Sequence, residues 1–143
     1  MLTVFLGGNH RMDWSSTYPF GQVFLEILKI APILGEPLPP RNLTIGNDVW
    51  IGANVTIMSG ITIDDGAVVG ANSTVTRSIG PYEIWGGNPA RFIRHRFPED
   101  IVGRLTAMRW WDWPLDAVER AAPLLCTPPT DEILSQLEQL APR

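Results

Sequence analysis

The chain has 143 residues, with 15 Asp and Glu against 11 Lys and Arg, for a formal net charge of −4. That length fits one domain, and the balance lacks the clustered Lys and Arg that a nucleic-acid surface needs. No apolar run approaches a membrane span, Met1 to Gly8 lacks the basic start and long apolar stretch of a signal peptide, and a single cysteine, Cys126, excludes an internal disulfide and points to a reducing compartment, the cytoplasm.

Met1 to Leu6 reads as a strand. It leads into Gly7-Gly8-Asn9-His10-Arg11-Met12-Asp13-Trp14, a polar loop opened by two glycines. From Ser15 to Ile30, the residues Tyr18, Phe20, Val23, Phe24, Ile27 and Leu28 recur at spacings of three and four, which predicts one apolar helical face after Pro19. Ala31 to Pro40 holds Pro32, Gly35, Pro37, Pro39 and Pro40 and reads as a loop. A long loop inserted beside a rigid scaffold is often functional.

Residues 43 to 80 repeat every six residues. Aliphatic side chains fall at Ile45, Ile51, Ile57, Ile63, Val69 and Val75, and two positions before each sit Leu43, Val49, Val55, Ile61, Ala67 and Ser73. Ile51-Gly52-Ala53-Asn54 returns as Val69-Gly70-Ala71-Asn72, an offset of three hexapeptides. A fixed six-residue period marks a parallel β-helix, in which three strand-plus-turn units make one triangular coil and stacked coils bury the inward aliphatics. Antiparallel sandwich strands rarely keep so unbroken a period.

The β-helix runs to about Gly80, and Pro81-Tyr82 ends it. Residues 82 to 93 read as a turn-rich passage with Arg91, Arg94 and Arg96 close by. From Pro98 the period becomes helical, with Ile101, Leu105 and Met108 on one face. Trp110-Trp111-Asp112-Trp113 follows, then a helix from Pro114 to about Leu125, and a last helix behind Thr130, a good N-cap, with Ile133, Leu134, Leu137 and Leu140 as its stripe. These helices either cap the solenoid end, which needs covering, or pack on a neighbour.

Four segments together carry a resemblance: Gly7 to Trp14 continued by Ser16-Thr17-Tyr18-Pro19-Phe20; Ile45-Gly46-Asn47-Asp48-Val49-Trp50-Ile51-Gly52; Gly86-Gly87-Asn88-Pro89-Ala90-Arg91; and Trp110-Trp111-Asp112-Trp113. In this order they resemble the hexapeptide-repeat xenobiotic acetyltransferases, which acetylate chloramphenicol or streptogramins from acetyl-CoA. That family sits in a wider superfamily with sugar, maltose and galactoside O-acetyltransferases. The resemblance covers residues 1 to about 115. It implies a mainly β fold, a left-handed parallel β-helix with a C-terminal helical tail. Residues 1–97 would form the acetyltransferase domain, with a loop inserted at about 11–42, and residues 98–143 the extension. It also implies a homotrimer with its sites between neighbouring β-helices. The family carries about three further coils before the loop, whereas this chain starts at Met1 inside the coil feeding it. Either the protein is naturally short or its start is truncated, and acceptor binding would depend on those coils more than coenzyme binding would.

Acetyl transfer to a hydroxyl needs a base, and imidazole suits it because its free pKa lies near neutrality. The resemblance assigns that base to His10; taken alone, a loop histidine reads first as a surface or turn-stabilising residue. Asp13 would orient His10 or hold the acceptor hydroxyl, or else be a solvated carboxylate. Trp14 and Tyr18 would wall the acceptor pocket, with Phe20 packing the loop. Trp50 would line the site or pack between subunits. Ala53 and Ala71, one coil apart, match pantetheine-contact positions of the family. Thr76, Arg77, Arg91 and Arg94 match positions at the phosphate end of the coenzyme, where arginine offers charge and a bidentate fork; the other reading is a solvated basic turn. His95, between arginines, reads as a surface residue. Cys126, beside Thr127-Pro128-Pro129, is not read as a nucleophile.

The function implied is an acetyl-CoA-dependent O-acetyltransferase acting on an antibiotic or sugar-like hydroxyl by direct transfer. It uses acetyl-CoA as co-substrate and no metal, and it partners neither nucleic acid nor membrane. The alternatives are a sugar or polysaccharide-intermediate O-acetyltransferase, and a truncated, catalytically impaired β-helix with a structural role. A β-helical carbonic anhydrase needs three histidine ligands, and the chain has two histidines.

Overall fold

The structure is a computed structural model that describes residues 1–20, 23, 25–35 and 41–142. Phe24, Pro37, Pro39 and Pro40 lie outside the described residues.

The hexapeptide spacing becomes three short sheets. The strands are β1 (Leu2–Val4), β2 (Thr44–Ile45), β3 (Trp50–Ile51), β4 (Val55–Ile57), β5 (Thr62–Ile63), β6 (Val68–Val69), β7 (Thr74–Val75), β8 (Glu83–Gly86) and β9 (Arg91–His95). They assemble as β1-β4-β7, β2-β5 and β3-β6-β8-β9. Thr44 pairs with Thr62, Trp50 with Val68 and Thr56 with Thr74, all in parallel and each with the residue three hexapeptides on. Each turn of the chain therefore places one strand in every sheet, the parallel β-helix that the period predicts. Corner residues Asp48, Asn54 and Asn72 take left-handed backbone, with φ of 51°, 56° and 59°, a conformation that Asn and Asp tolerate better than most.

The register also locates the insertion. In a regular coil the partner of Leu2 would stand three hexapeptides on, at Phe20; its partner is Val55. The coil between them is therefore nearly three times the regular length. The excess chain leaves the solenoid after β1 and returns before β2.

Inside, Val55, Ile57, Ile63, Ala67, Val69, Val75 and Ile79 are fully buried. Burying such side chains contributes about 1.5–3 kcal/mol for each of the larger ones. Ser73 takes one inward position at 1% exposure. Its hydroxyl donates to the Gly70 carbonyl at 2.6 Å and accepts from the Gly87 N–H at 3.1 Å, which offsets the cost of burying it. In the first coil the same column is less covered: Leu2, Val4 and Ile45 are 45%, 37% and 40% exposed.

Three sequence expectations change. The β-helix does not end at Gly80, because β8 adds a parallel rung, Val68 with Ile84. The step there falls two positions short of three hexapeptides, as it does for the Ile63–Ile79 bridge, so a strict period of six cannot reveal it. The passage read as turns contains β9, which folds back antiparallel on β8. The helix expected after Pro19 shrinks, among the described residues, to the four-residue α1 (Leu25–Leu28). Its apolar side chains find no core; Ile27 is 75% exposed, and a helix without a buried face is marginal.

The chain then forms α2 (Glu99–Met108), a 3-10 turn at Trp110–Asp112, α3 (Leu115–Leu125) and α4 (Asp131–Leu140). Thr130 caps α4 by accepting the Ile133 N–H. Leu105, Ala121, Leu134 and Leu137 form a second core, and Tyr82, the residue that leads into β8, joins it. Arg104 on α2 reaches both Glu138 oxygens, at 2.7 and 3.0 Å, and Asp131 at 3.1 Å, tying α2 to α4. No helix of the described residues is long and apolar enough to cross a membrane.

Candidate active site

The loop leaves the solenoid on a fixed base. The Phe5 N–H bonds the Ile57 carbonyl at 2.9 Å, continuing the β1–β4 ladder by one residue. Gly8 then turns with φ of 78°, and the Asn9 amide donates to the Ser59 hydroxyl at 2.8 Å. His10 follows directly, exposed to solvent. Its Nδ1 lies 2.9 Å from the Thr17 carbonyl oxygen. A carbonyl accepts only, so Nδ1 carries a hydrogen, and in the neutral ring Nε2 is then the nitrogen with the lone pair.

Asp13 is turned to Arg11. Arg11 Nε donates to one carboxylate oxygen at 2.6 Å and its terminal nitrogen pairs with the other. The Arg11 guanidinium holds the Asp13 carboxyl below the usual carboxylate range. The ring nitrogen of His10 that a carboxylate would orient is thus met by a backbone carbonyl. Beyond Asp13, Trp14, Ser15, Ser16, Tyr18, Phe20 and Ile33 line a cavity of about 200 Å³. Tyr18 and Phe20 wall it together, their centroids 4.8 Å apart.

The coenzyme candidates lie on the coils. Ala53 and Ala71 are exposed and stand one coil apart, next to the corner residues Asn54 and Asn72. The Ala53 carbonyl accepts the Asn72 N–H at 2.8 Å, so the two corners stack directly. Thr76 and Arg77 are exposed after β7, and Arg91 and Arg94 are exposed on β9. Arg91 donates to the Ala90 carbonyl and Arg94 to the His95 carbonyl. Among the described residues none of Arg77, Arg91 and Arg94 pairs with a carboxylate, which leaves their charge available to an anion. Arg96 differs: it bonds Asp48 at 3.1 Å and the Gly66 carbonyl at 2.7 Å, and stacks on Tyr82 and Phe97, so it belongs to the scaffold. His95 and Cys126 are exposed. Among the described residues no three His, Cys, Asp or Glu side chains gather as a metal site.

The structure therefore brings His10 to Thr17, and Arg11 to Asp13 and Trp14, and sets Arg91 and Arg94 on one strand. Among the described residues no hydrogen bond joins the loop group to the coenzyme candidates. Sequence reasoning passed over Thr17, Asn9 and Arg11. The one signal for Arg11 was its place just ahead of Asp13 and Trp14 in the same polar loop.

A parallel solenoid with one long inserted loop is the architecture of a hexapeptide-repeat protein, and residues 42–77 match the family described as bacterial transferase hexapeptide (six repeats). A chloramphenicol acetyltransferase of Agrobacterium fabrum (strain C58 / ATCC 33970) is 45% identical over 123 residues, covering 84% of this chain and 58% of that protein. A "Probable macrolide acetyltransferase" of Lysinibacillus sphaericus is 51% identical over 108 residues, covering 75% and 59%. Among solved structures, a hexapeptide-repeat acetyltransferase of Vibrio cholerae O1 biovar eltor, complexed with acetyl coenzyme A, matches with a TM-score of 0.50 at 28% identity, over 68% of this chain and 44% of that one. The chain is thus similar, over 84% and 75% of its length, to these two acetyltransferases, and it carries the hexapeptide repeat. It spans 58% and 59% of the length of the two curated relatives.

Proposed function

We propose that the protein transfers an acetyl group from acetyl-CoA to a hydroxyl of a small molecule, with His10 as general base. The observation that carries this reading is the bond between His10 Nδ1 and the Thr17 carbonyl, which leaves Nε2 basic on an exposed loop beside an aromatic cavity. Acetyl-CoA supplies the thioester. Nε2 takes the acceptor proton as the hydroxyl oxygen attacks, the Thr17 carbonyl steadies the imidazolium, and Nε2 returns the proton to the departing thiolate. The acceptor carries away the acetyl group, and no covalent enzyme intermediate is needed.

Trp14 and Tyr18 wall the acceptor site in this reading, and Asp13 edges it. Ala53 and Ala71 leave room for the pantetheine arm, with Thr76, Arg77, Arg91 and Arg94 toward the phosphates. The solenoid, residues 1–97, is left-handed and carries both sites, and residues 98–143 form the helical extension. Acetyl-CoA is an intracellular metabolite, which favours the cytoplasm. The unequal faces of the prism support a homotrimer. Two faces present threonines, Thr3-Thr56-Thr74 and Thr44-Thr62, while the third presents Trp50-Val68-Ile84. Trp50 is 60% exposed in the single chain, apolar area suited to a second copy.

The names of the relatives favour an antibiotic hydroxyl as acceptor. Release of coenzyme A thiol, followed over chloramphenicol, a macrolide, a streptogramin and a simple sugar, tests the reading. Thiol release with an antibiotic supports it, release with the sugar alone shifts the acceptor class, and tight acetyl-CoA binding with no transfer points to a structural role.

A further inference from the structure

We infer that Arg11 is a positioning residue: its guanidinium latches the two limbs of the inserted loop together and fixes Trp14 as a wall of the acceptor cavity. The inference rests on the reading of that cavity as the acceptor site.

Among the described residues two contacts meet at one guanidinium, and the returning limb passes beside them. On its edge, Nε and a terminal nitrogen grip both oxygens of Asp13. On its face, the Trp14 ring centroid lies 5.1 Å away, within cation–π range. The returning limb comes close to both groups. Gly35 has φ of 95°, and a Cβ built there would find Arg11 Nη1 at 3.8 Å and Trp14 Cζ2 at 3.9 Å. Gly35 lies beyond α1 in sequence, on the opposite limb of the loop from Arg11. The cavity has the same two-limbed construction, taking Trp14 from the outgoing limb and Ile33 from the returning one.

Among the described residues the loop leaves much of its apolar surface uncovered. Ile27, Leu28 and Leu34 are 75%, 42% and 92% exposed, and α1 is a single helical turn. The ion pair is not there for stability: the Asp13 side chain is 64% exposed, and exposed pairs contribute only ~0–1 kcal/mol. What the pair does fix is direction. A planar fork that grips a carboxylate on its edge and an indole on its face holds both in one orientation. A lysine, a point charge on a flexible stem, fixes neither.

The test uses the full chain labelled with 5-fluorotryptophan, the Trp14 resonance being assigned with Trp14→Phe. Without substrates, Arg11→Ala should shift or broaden that resonance, added guanidinium ion should restore it, and Arg11→Lys should resemble the alanine variant. In the assay, Arg11→Ala should raise the acceptor KM by roughly ten-fold, with the acetyl-CoA KM and the thermal midpoint unchanged, and guanidinium should lower it again. Should Arg11→Ala not fold, Arg11→Gln is read in the same way. An unmoved Trp14 resonance overturns the latch whatever the activity. A moved resonance with an unchanged acceptor KM overturns its role in the cavity. A wild-type chain with no transfer at all removes the functional reading instead, and with it the acceptor role; the resonance then decides the latch alone.

Discussion

Tyr82 lies flat against Gly66. A Cβ at position 66 would stand 2.6 Å from Cδ1 and Cε1 of the ring and 2.7 Å from Cζ. Gly66 also has φ of 71°, where an L side chain is strained. Tyr82 is 1% exposed and belongs to the core of the helices, so this contact is where solenoid and helices meet.

Gly66→Ala should therefore loosen the joint between the two cores. Overpacking of a filled contact costs about 1–3 kcal/mol, with the backbone strain in addition. Urea unfolding should show a loss of that size, and stability within about 0.5 kcal/mol of the parent would mean that the joint is softer than described.

Tyr82 also makes an alkaline prediction. Burial, assisted by the Asp48 carboxylate, pushes its hydroxyl up to about 12. An unfolded tyrosine ionises near pH 10, so the folded chain keeps the proton over a window where the unfolded chain loses it. The resulting stability is fully present below about pH 10 and is lost as the pH rises toward about 12. Absorbance titration of the phenolate should place the step abolished by Tyr82→Phe near that upper value. A step close to pH 10 would show that the ring is wet.

The apolar ladder on one prism face should be an interface between copies. Trp50→Lys puts a charge in its outermost rung. Light scattering should give three times the chain mass for the parent and a smaller assembly for the variant. A monomeric parent at micromolar concentration would contradict the trimer.

At the coenzyme end, Arg91→Ala should weaken acetyl-CoA more than it weakens the analogue lacking the ribose phosphate, because the lost interaction is charge on phosphate. Calorimetry with both ligands decides this. Equal losses would assign Arg91 to packing on β9.

These residues differ in how far the sequence revealed them. The inward column from Val55 to Val75 was legible because every coil repeats it in register, and Ser73 could be named as a member before its partners were known. The rung at β8 was hidden, since its step is shorter than a regular coil and a periodic reading loses phase there. Strand β9 was hidden for another reason: exposed throughout, it carries no apolar alternation to announce it. In the loop, His10 stands out only through its neighbours in sequence. The Thr17 carbonyl and the Arg11 latch were not legible, because they depend on how an aperiodic segment folds back on itself.

The most direct test of the account is His10→Ala assayed with an acceptor that the parent acetylates, with acetyl-CoA affinity measured on the same preparation. The account predicts unchanged affinity and a turnover lower by roughly 10²-fold or more, the scale of general-base catalysis. Parental turnover in His10→Ala would contradict it.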